Sequence, residues 1–176
     1  MVARFQQHRG HEFLVRAFKN LKNKNIKLIL TGRGEYKENI EKLVDNLGLN
    51  DDVIFTGYIK NELPSLLRSL DVFVLLEEGS DGTCRAILEA MASGLPIVSV
   101  EKGAIKESVV NGVNGFLISA KEDVKSLTEK LKILIENKNL REKFGENSRK
   151  IAEEKFAKDK KLKEFLNFYL NIAWLT

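Results

Sequence analysis

Five short apolar runs, IKLIL (26–30), DVIF (52–55), DVFVLL (71–76), PIVSV (96–100) and GFLI (115–118), constrain the fold of this chain more than any other feature. Each is four to six residues long, rich in β-branched residues and bounded by Gly, Asn or Asp, which reads as a strand. None alternates cleanly between apolar and polar residues, as expected of strands buried on both faces. MVARF, at the start of the chain, reads as the end of a sixth strand. Helical spacing fills the gaps. In HEFLVRAFKNL, residues Phe13, Leu14, Ala17, Phe18 and Leu21 fall on one face, and in YKENIEKLVDNLG so do Ile40, Leu43, Val44 and Leu47, with Gly48 as a stop signal. NELPSLLRSL carries Pro64 in its first turn, where the missing N–H costs little. Strand–helix–strand alternation of this length gives a parallel sheet with right-handed crossovers. The expected fold is α/β: a Rossmann-like, doubly wound parallel sheet of about six strands with helices on both faces.

From Glu122 the pattern is helical almost to the end, with helices expected at about 123–136, 139–154 and 158–173. The chain therefore divides into a Rossmann-like domain over residues 1–155 and a C-terminal helical tail over 156–176. That tail carries Phe165, Leu166, Phe168, Tyr169, Leu170, Ile172 and Trp174, more apolar surface than one neighbour needs. It is either core or the contact for a further domain.

Composition excludes several classes. The chain has 176 residues, 43% hydrophobic and 31% charged, ordinary for a globular protein. No apolar run approaches the roughly 18 residues of a membrane span. Met1 runs straight into VARF without a basic segment followed by an apolar one, so no signal peptide is expected. The single cysteine, Cys84, forbids an internal disulfide and a Cys-rich zinc site, which fits a reduced, cytoplasmic protein. The net charge of +4 lies entirely in residues 121–176, where 14 Lys/Arg face 10 Asp/Glu. Those charges are mixed in sign along helical segments, as on solvated faces, so no nucleic-acid partner is expected.

The chemistry concentrates in LEEGSDGTCRAILEAMASGLP (76–96). DVFVLL should end near Leu76, and in open α/β sheets ligands sit beyond the carboxyl ends of the strands. Gly79 and Gly82 permit a tight turn, and a helix then runs from about Thr83 to Ser93 and Gly94. Its free N–H groups and dipole suit an anion. On a helical wheel Gly82, Arg85, Ala86 and Ser93 fall within about 60° of Glu89, a small polar face. Cys84, Ile87, Leu88 and Met91 fall on the opposite, core side, so Cys84 reads as a packed thiol. Arg85 in the first turn opposes the helix dipole, and Glu89, Asp81 or a bound phosphate would compensate it. Glu89 leans back toward the loop, where a carboxylate can accept hydrogen bonds from two adjacent hydroxyls of a ribose. Phosphate on N–H groups with ribose on a carboxylate makes a nucleotide site.

Two further segments fit that reading. In ARFQQHRG, Arg4 and Arg9 flank the loop after the first strand and could clamp a diphosphate through forked contacts. In GRGEY, Gly32 and Gly34 let the turn after a strand pass close to a ligand. The P-loop pattern GxxxxGK[ST] is absent. His8 and His11 have no evident third ligand, so neither a metal nor another cofactor is expected.

Together these residues resemble glycosyltransferase family 4, the retaining nucleotide-sugar enzymes of GT-B architecture, and specifically their carboxyl-terminal donor-binding domain. VARF…RG resembles the family's GR…KG. LILTGRGEYKENI, VIFTGYI, DVFVLL, EAMASGLPIVSV and GAIKESVVNGVNGFLI follow its successive blocks from Val2 to about Phe156. The family's E-x7-E signature falls on Asp81 and Glu89. The resemblance implies that Glu89 holds the ribose of a UDP- or GDP-sugar and that Asp81 meets hydroxyls of the donor sugar. It implies that Gly82, Thr83 and Cys84 offer backbone N–H groups, that Arg4 and Arg9 stabilise the diphosphate leaving group, and that Tyr58 and Ile59 lie beside the base, through backbone contacts. It further implies a metal-independent transfer to a glycan or lipid hydroxyl. The acceptor would be held by an amino-terminal domain, onto which the C-terminal helix packs back; the whole enzyme could be peripheral to a membrane. Three positions depart from the pattern: Asp81 is one methylene shorter than glutamate, Arg9 replaces a lysine and Ala3 a glycine. Two other readings stay open, a stand-alone donor-binding subunit of a two-chain enzyme and a non-catalytic nucleotide-binding domain.

Overall fold

A computed structural model describes residues 1–21, 25–77 and 84–173, with side chains as far as residue 170. In chain order it contains a 3-10 turn (Gln7–Arg9), α1 (His11–Asn20), β1 (Leu28–Thr31), α2 (Lys37–Asn46), β2 (Val53–Gly57), α3 (Leu63–Arg68) and β3 (Phe73–Leu75). Then follow α4 (Arg85–Ala92), β4 (Ile97–Val100), α5 (Ile105–Ser108), β5 (Gly115–Ile118), α6 (Val124–Glu136), α7 (Lys138–Phe156) and α8 (Lys158–Ala173). The five expected runs are the five strands, arranged not as one six-stranded sheet but as a two-stranded sheet (β1-β2) and a three-stranded sheet (β3-β4-β5), with helices on both sides. The short 3-10 turn and α5 were not legible as periodic segments, being less than a turn or two long.

All pairings are parallel. β1 pairs with β2 from Leu28↔Val53 onward, and β4 lies between β3 and β5, with Val98 opposite both Val74 and Phe116. Met1–Phe5 runs alongside β1 on the side away from β2. Met1 N and Ala3 N donate to Ile29 O and Thr31 O, Thr31 N donates to Met1 O, and Phe5 N donates to Arg33 O, all at 2.9–3.0 Å. MVARF is thus strand-like, as its composition predicts.

β3 and β4 lie inside, whereas of β2 only Val53 is buried and Ile54 is 45% exposed. Every residue of β3 and of β4 is buried, which explains why those runs show no alternation. The core joins them to Leu14, Val15 and Phe18 of α1, Ile87 and Met91 of α4, and Leu127, Leu131 and Leu134 of α6. Helix ends follow local chemistry. The Asp123 carboxylate accepts from Ser126 N at the start of α6, and Asn137 Oδ1 accepts from Leu140 N at the start of α7, both at 2.9 Å. Gly48 (φ 63°) and Gly94 (φ 78°) take the left-handed conformation after α2 and α4.

α7 packs tightly against the chain just after α4 at Gly145, where a Cβ would stand 2.2 Å from Gly94 O. Beyond Phe156 the chain turns at an extended Ala157 into α8. On α8, Leu162, Phe165, Leu166, Phe168, Tyr169 and Leu170 are all about half exposed or more. The excess apolar surface read from the sequence is therefore on the outside of the molecule, not in its core.

Candidate functional site

The carboxyl ends of the first strands open onto a cavity of about 380 Å³. Four segments far apart in sequence meet there. Ala3 and Arg4 come from the end of the first strand, Thr31, Gly32 and Arg33 from the end of β1, Tyr58, Ile59 and Lys60 from the end of β2, and Glu89 from α4; Leu63 of α3 closes one side. A second cavity of about 400 Å³ adjoins it through Arg4 and Arg33, lined also by Gln6, Gly34 and Glu35. Of the residues singled out in the sequence, Arg4, Gly32, Tyr58, Ile59 and Glu89 line the first cavity and Gly34 the second.

The glycines of GRGEY are required for chain crossing. A Cβ on Gly32 (φ 146°) would stand 2.0 Å from Ala3 O, and one on Gly34 (φ 156°) 2.2 Å from Phe5 O. The turn therefore lies directly on the backbone of the first strand and presents Arg33 between its two glycines. Gly32 N donates to Gly57 O at 2.9 Å, which ties this turn to the one after β2.

Helix α4 carries the acid. Glu89 is half-buried, and that burial raises its pKa above the ordinary glutamate value; the nearby Arg85 charge works in the opposite direction. Arg85 is exposed, and the pair shares a helix face as the wheel predicts. Ile87 and Met91 are fully buried and Leu88 partly so, which confirms the core side. Cys84 is 2% exposed and packs in the core, not in the cavity. It caps α4 at φ 47°, the one non-glycine residue with positive φ among those described. A left-handed cysteine costs about 1–2 kcal/mol, strain of the kind that clusters at functional sites. Asp81, Gly82 and Thr83 lie outside the described residues.

Arg9 is not at the cavity. It is 7% exposed, ends the 3-10 turn, and donates from Nε to Gln6 Oε1 at 3.5 Å. Gly10 (φ 79°) then seats the turn against Leu76, at the end of β3. His11 is buried, stacked on Phe5 at 4.5 Å between ring centroids, with no hydrogen bond to either ring nitrogen. Burial above all, with Arg9 adding to it, pushes its pKa down to about 4, so it is neutral core. Among the described residues no group of three His, Cys, Asp or Glu could hold a metal, and no helix is long and apolar enough to cross a membrane.

Sequence reasoning missed Arg33, Lys60, Thr31 and Leu63. For Arg33 a signal existed, since it sits between two glycines. It also missed a charge cluster at the other strands. Glu77, just past β3, pairs with Lys102 beyond β4 and with Lys121 beyond β5, the latter at 3.0 Å; Lys121 also donates to His8 O at 2.9 Å. Burial opposes ionisation of Glu77, but hydrogen bonds and charge from the two lysines outweigh it and hold its pKa below the ordinary value.

Comparison with known proteins shows what the chain is similar to. The sequence profile of the family described as glycosyl transferases, group 1, matches residues 1–151. An uncharacterised glycosyltransferase of Methanocaldococcus jannaschii, MJ1069, is 33% identical over 175 residues, covering 96% of this chain and 43% of that protein. The capsular polysaccharide biosynthesis glycosyltransferase CapM of Staphylococcus aureus is 31% identical over 160 residues, covering 89% of this chain and 41% of its own. Among solved structures, Anabaena Alr3699/HepE in complex with UDP-glucose superposes with a TM-score of 0.84 at 26% identity, over 94% of this chain and 47% of that one. The C-terminal domain of the group 1 protein LpcC from Francisella tularensis superposes at 0.79 with 28% identity, over 88% of this chain and 83% of that domain. The chain thus spans less than half the length of the curated relatives it matches.

Proposed function

Because the chain belongs to the group 1 glycosyl transferases, we propose that it is the donor-binding half of a retaining enzyme that transfers a sugar from a UDP- or GDP-sugar to an acceptor hydroxyl of a glycan or lipid. The observation that carries this is the cavity in which half-buried Glu89 faces three cations, Arg4, Arg33 and Lys60. A carboxylate in a partly dry site accepts hydroxyl hydrogen bonds more strongly than one in water, which suits Glu89 to the ribose diol. The cations and the N-terminus of α4 supply positive potential for a diphosphate. When the bond between sugar and phosphate breaks, negative charge grows on the departing diphosphate, and preorganised cations and N–H dipoles stabilise it. Arg4 is placed for that role directly. Arg9, buried at the end of the 3-10 turn, acts by holding the loop that carries Arg4 and by its field.

In the same reading Asp81 contacts hydroxyls of the donor sugar, and Gly82, Thr83 and Cys84 direct N–H groups at the phosphates. Arg85 balances the Glu89 charge. Gly32 and Gly34 let the loop approach the nucleotide, and Ile59 contacts the base through its backbone. The acceptor is held by a second domain, against which the exposed apolar face of α8 packs; residues 1–155 form the donor domain and 156–176 the tail. That face serves equally well if the acceptor domain is a separate subunit. The enzyme works in the cytoplasm, in polysaccharide assembly or at a membrane surface, and this chain alone turns over little.

Titration calorimetry with UDP, GDP and their sugars tests the proposal. Saturable heat with UDP or GDP at up to millimolar ligand supports it. Neither heat nor thermal shift with any of the four would overturn it.

A further inference from the structure

The loops beyond β3, β4 and β5 are joined by one cluster of charge outside the donor cavity. Glu77, just past β3, accepts from Lys102 on Oε1 and from Lys121 on Oε2, the latter at 3.0 Å. Lys121 also donates to His8 O at 2.9 Å, across 113 residues of sequence. A single acid therefore ties three strand ends to the 3-10 turn that follows the first strand. The Glu77 and Lys121 side chains are only 12% and 19% exposed. Ion pairs so buried cost desolvation and often contribute no more stability than apolar residues of the same size. What this one adds is a defined place for the turn.

The turn is gripped from two sides. Gly10 lies so close to β3 that a Cβ on it would stand 2.8 Å from the Leu76 Cβ, and Lys121 holds the His8 carbonyl. From there the constraint runs back to the donor cavity. Arg9 N donates to Gln6 O and Gln6 N donates to Arg4 O, both at 3.0 Å, and Arg4 lines the cavity together with Glu89. We propose that Glu77 and Lys121 are positioning residues that fix the 3-10 turn, and through it Arg4, for the diphosphate of the donor. The proposal rests on the nucleotide reading above. Neither residue lines the cavity. A cation set in place before the ligand arrives lowers the ordering cost of binding and stabilises the departing diphosphate without reorganising. The sign of one substitution separates this from a plain field effect. Glu77 is an acid at the same end of the strands as an anion site, so on charge alone Glu77→Gln should tighten diphosphate binding. Loss of positioning weakens it.

The test titrates UDP, GDP, uridine and guanosine by ligand-observed NMR, well below the melting range. The proteins are the wild type, Glu77→Gln, Lys121→Met, Lys102→Met, Arg4→Ala, and each of the first two substitutions combined with Arg4→Ala. Glu77→Gln and Lys121→Met should each weaken UDP and GDP about three- to tenfold, the worth of one hydrogen bond, and leave the nucleosides within about twofold. Lys102→Met removes a cation from the cluster but no bond to the turn, and should stay within about twofold throughout. On the Arg4→Ala background neither substitution should cost anything further, because both act through Arg4. Three results would each overturn the positioning role and leave the nucleotide reading standing. They are diphosphate binding in Glu77→Gln as tight as the wild type or tighter, equal losses for nucleosides and diphosphates, and losses that add to that of Arg4→Ala. If Glu77→Gln does not fold, Lys121→Met decides by the last two comparisons. A wild type that binds none of the four ligands would sink the nucleotide reading, and the positioning role with it.

Discussion

Replacing Gly145 with alanine sets two effects of opposite sign against each other. Gly145 sits in the middle of α7, and on propensity alone Gly→Ala in a helix interior should stabilise by about 1 kcal/mol. The geometry opposes this, because the new Cβ would meet the carbonyl oxygen of Gly94 at 2.2 Å, over an ångström short of ordinary contact at 3.4 Å. Neither side can yield freely. Gly94 is locked at φ 78° after α4, and the same stretch of α7 is pinned by Arg149 Nη1 donating to Ala92 O at 2.7 Å, Asn147 Nδ2 to Val113 O at 2.8 Å and Ser148 Oγ to Asn114 O at 3.2 Å. Overpacking against fixed backbone costs about 1–3 kcal/mol, and with every neighbour restrained the upper end applies. The net loss is about 2 kcal/mol, a fall of roughly 4–8 °C in Tm for a chain of this size. Thermal melts by circular dichroism, with Lys150→Ala on the exposed side of the same helix as control, read this directly. A Tm equal to or above the wild type would refute the argument, since propensity would then have won.

Two further outcomes concern pH. Burial pushes His11 down to about 4 from 6.5. The imidazole holds fewer protons folded than unfolded between those values, so stability should rise with pH across 4–6.5, by up to about 1.4 kcal/mol per unit. Urea titrations should show this slope; a flat profile from about 4.5 to 6.5 would refute it. Glu77 acts in the same direction at lower pH. Its lowered pKa contributes stability that is complete above the ordinary glutamate value of 4.5 and lost as pH falls below it. Glu77→Gln should therefore cost roughly 1–3 kcal/mol at pH 7 and flatten the acid limb of the same titration, whereas an unchanged acid limb would count against the cluster.

The architecture was legible because it rests on local periodicity. Fully buried strands announce themselves as unbroken apolar runs, and α4 sorts into a core side and a polar side at 100° per residue, so Glu89 and Arg85 could be paired by arithmetic. Glu77 was not legible, because its partners lie 25 and 44 residues away on loops that only the sheet brings together. Arg33 and Lys60 escaped for the same reason. The two glycines around Arg33 were readable as a turn, but that the turn rests on Ala3 and Phe5 is a fact of topology. Arg9 shows how burial escapes the sequence: it reads as an exposed loop cation paired with Arg4, yet it is buried as the last residue of the 3-10 turn and does not line the cavity that Arg4 lines.

The central claim is that Glu89 holds the ribose of a nucleotide, and a double-mutant cycle tests it most directly. UDP and 2′-deoxy-UDP would be titrated into the wild type and Glu89→Ala, with circular dichroism melts on both. A hydrogen bond to a charged group is worth about 1.5–3 kcal/mol, so the wild type should prefer UDP roughly tenfold or more. Glu89→Ala should bind both ligands equally weakly at an unchanged Tm. A variant that keeps the wild-type affinity for UDP, or that loses affinity while still preferring the 2′-hydroxyl, would contradict the account.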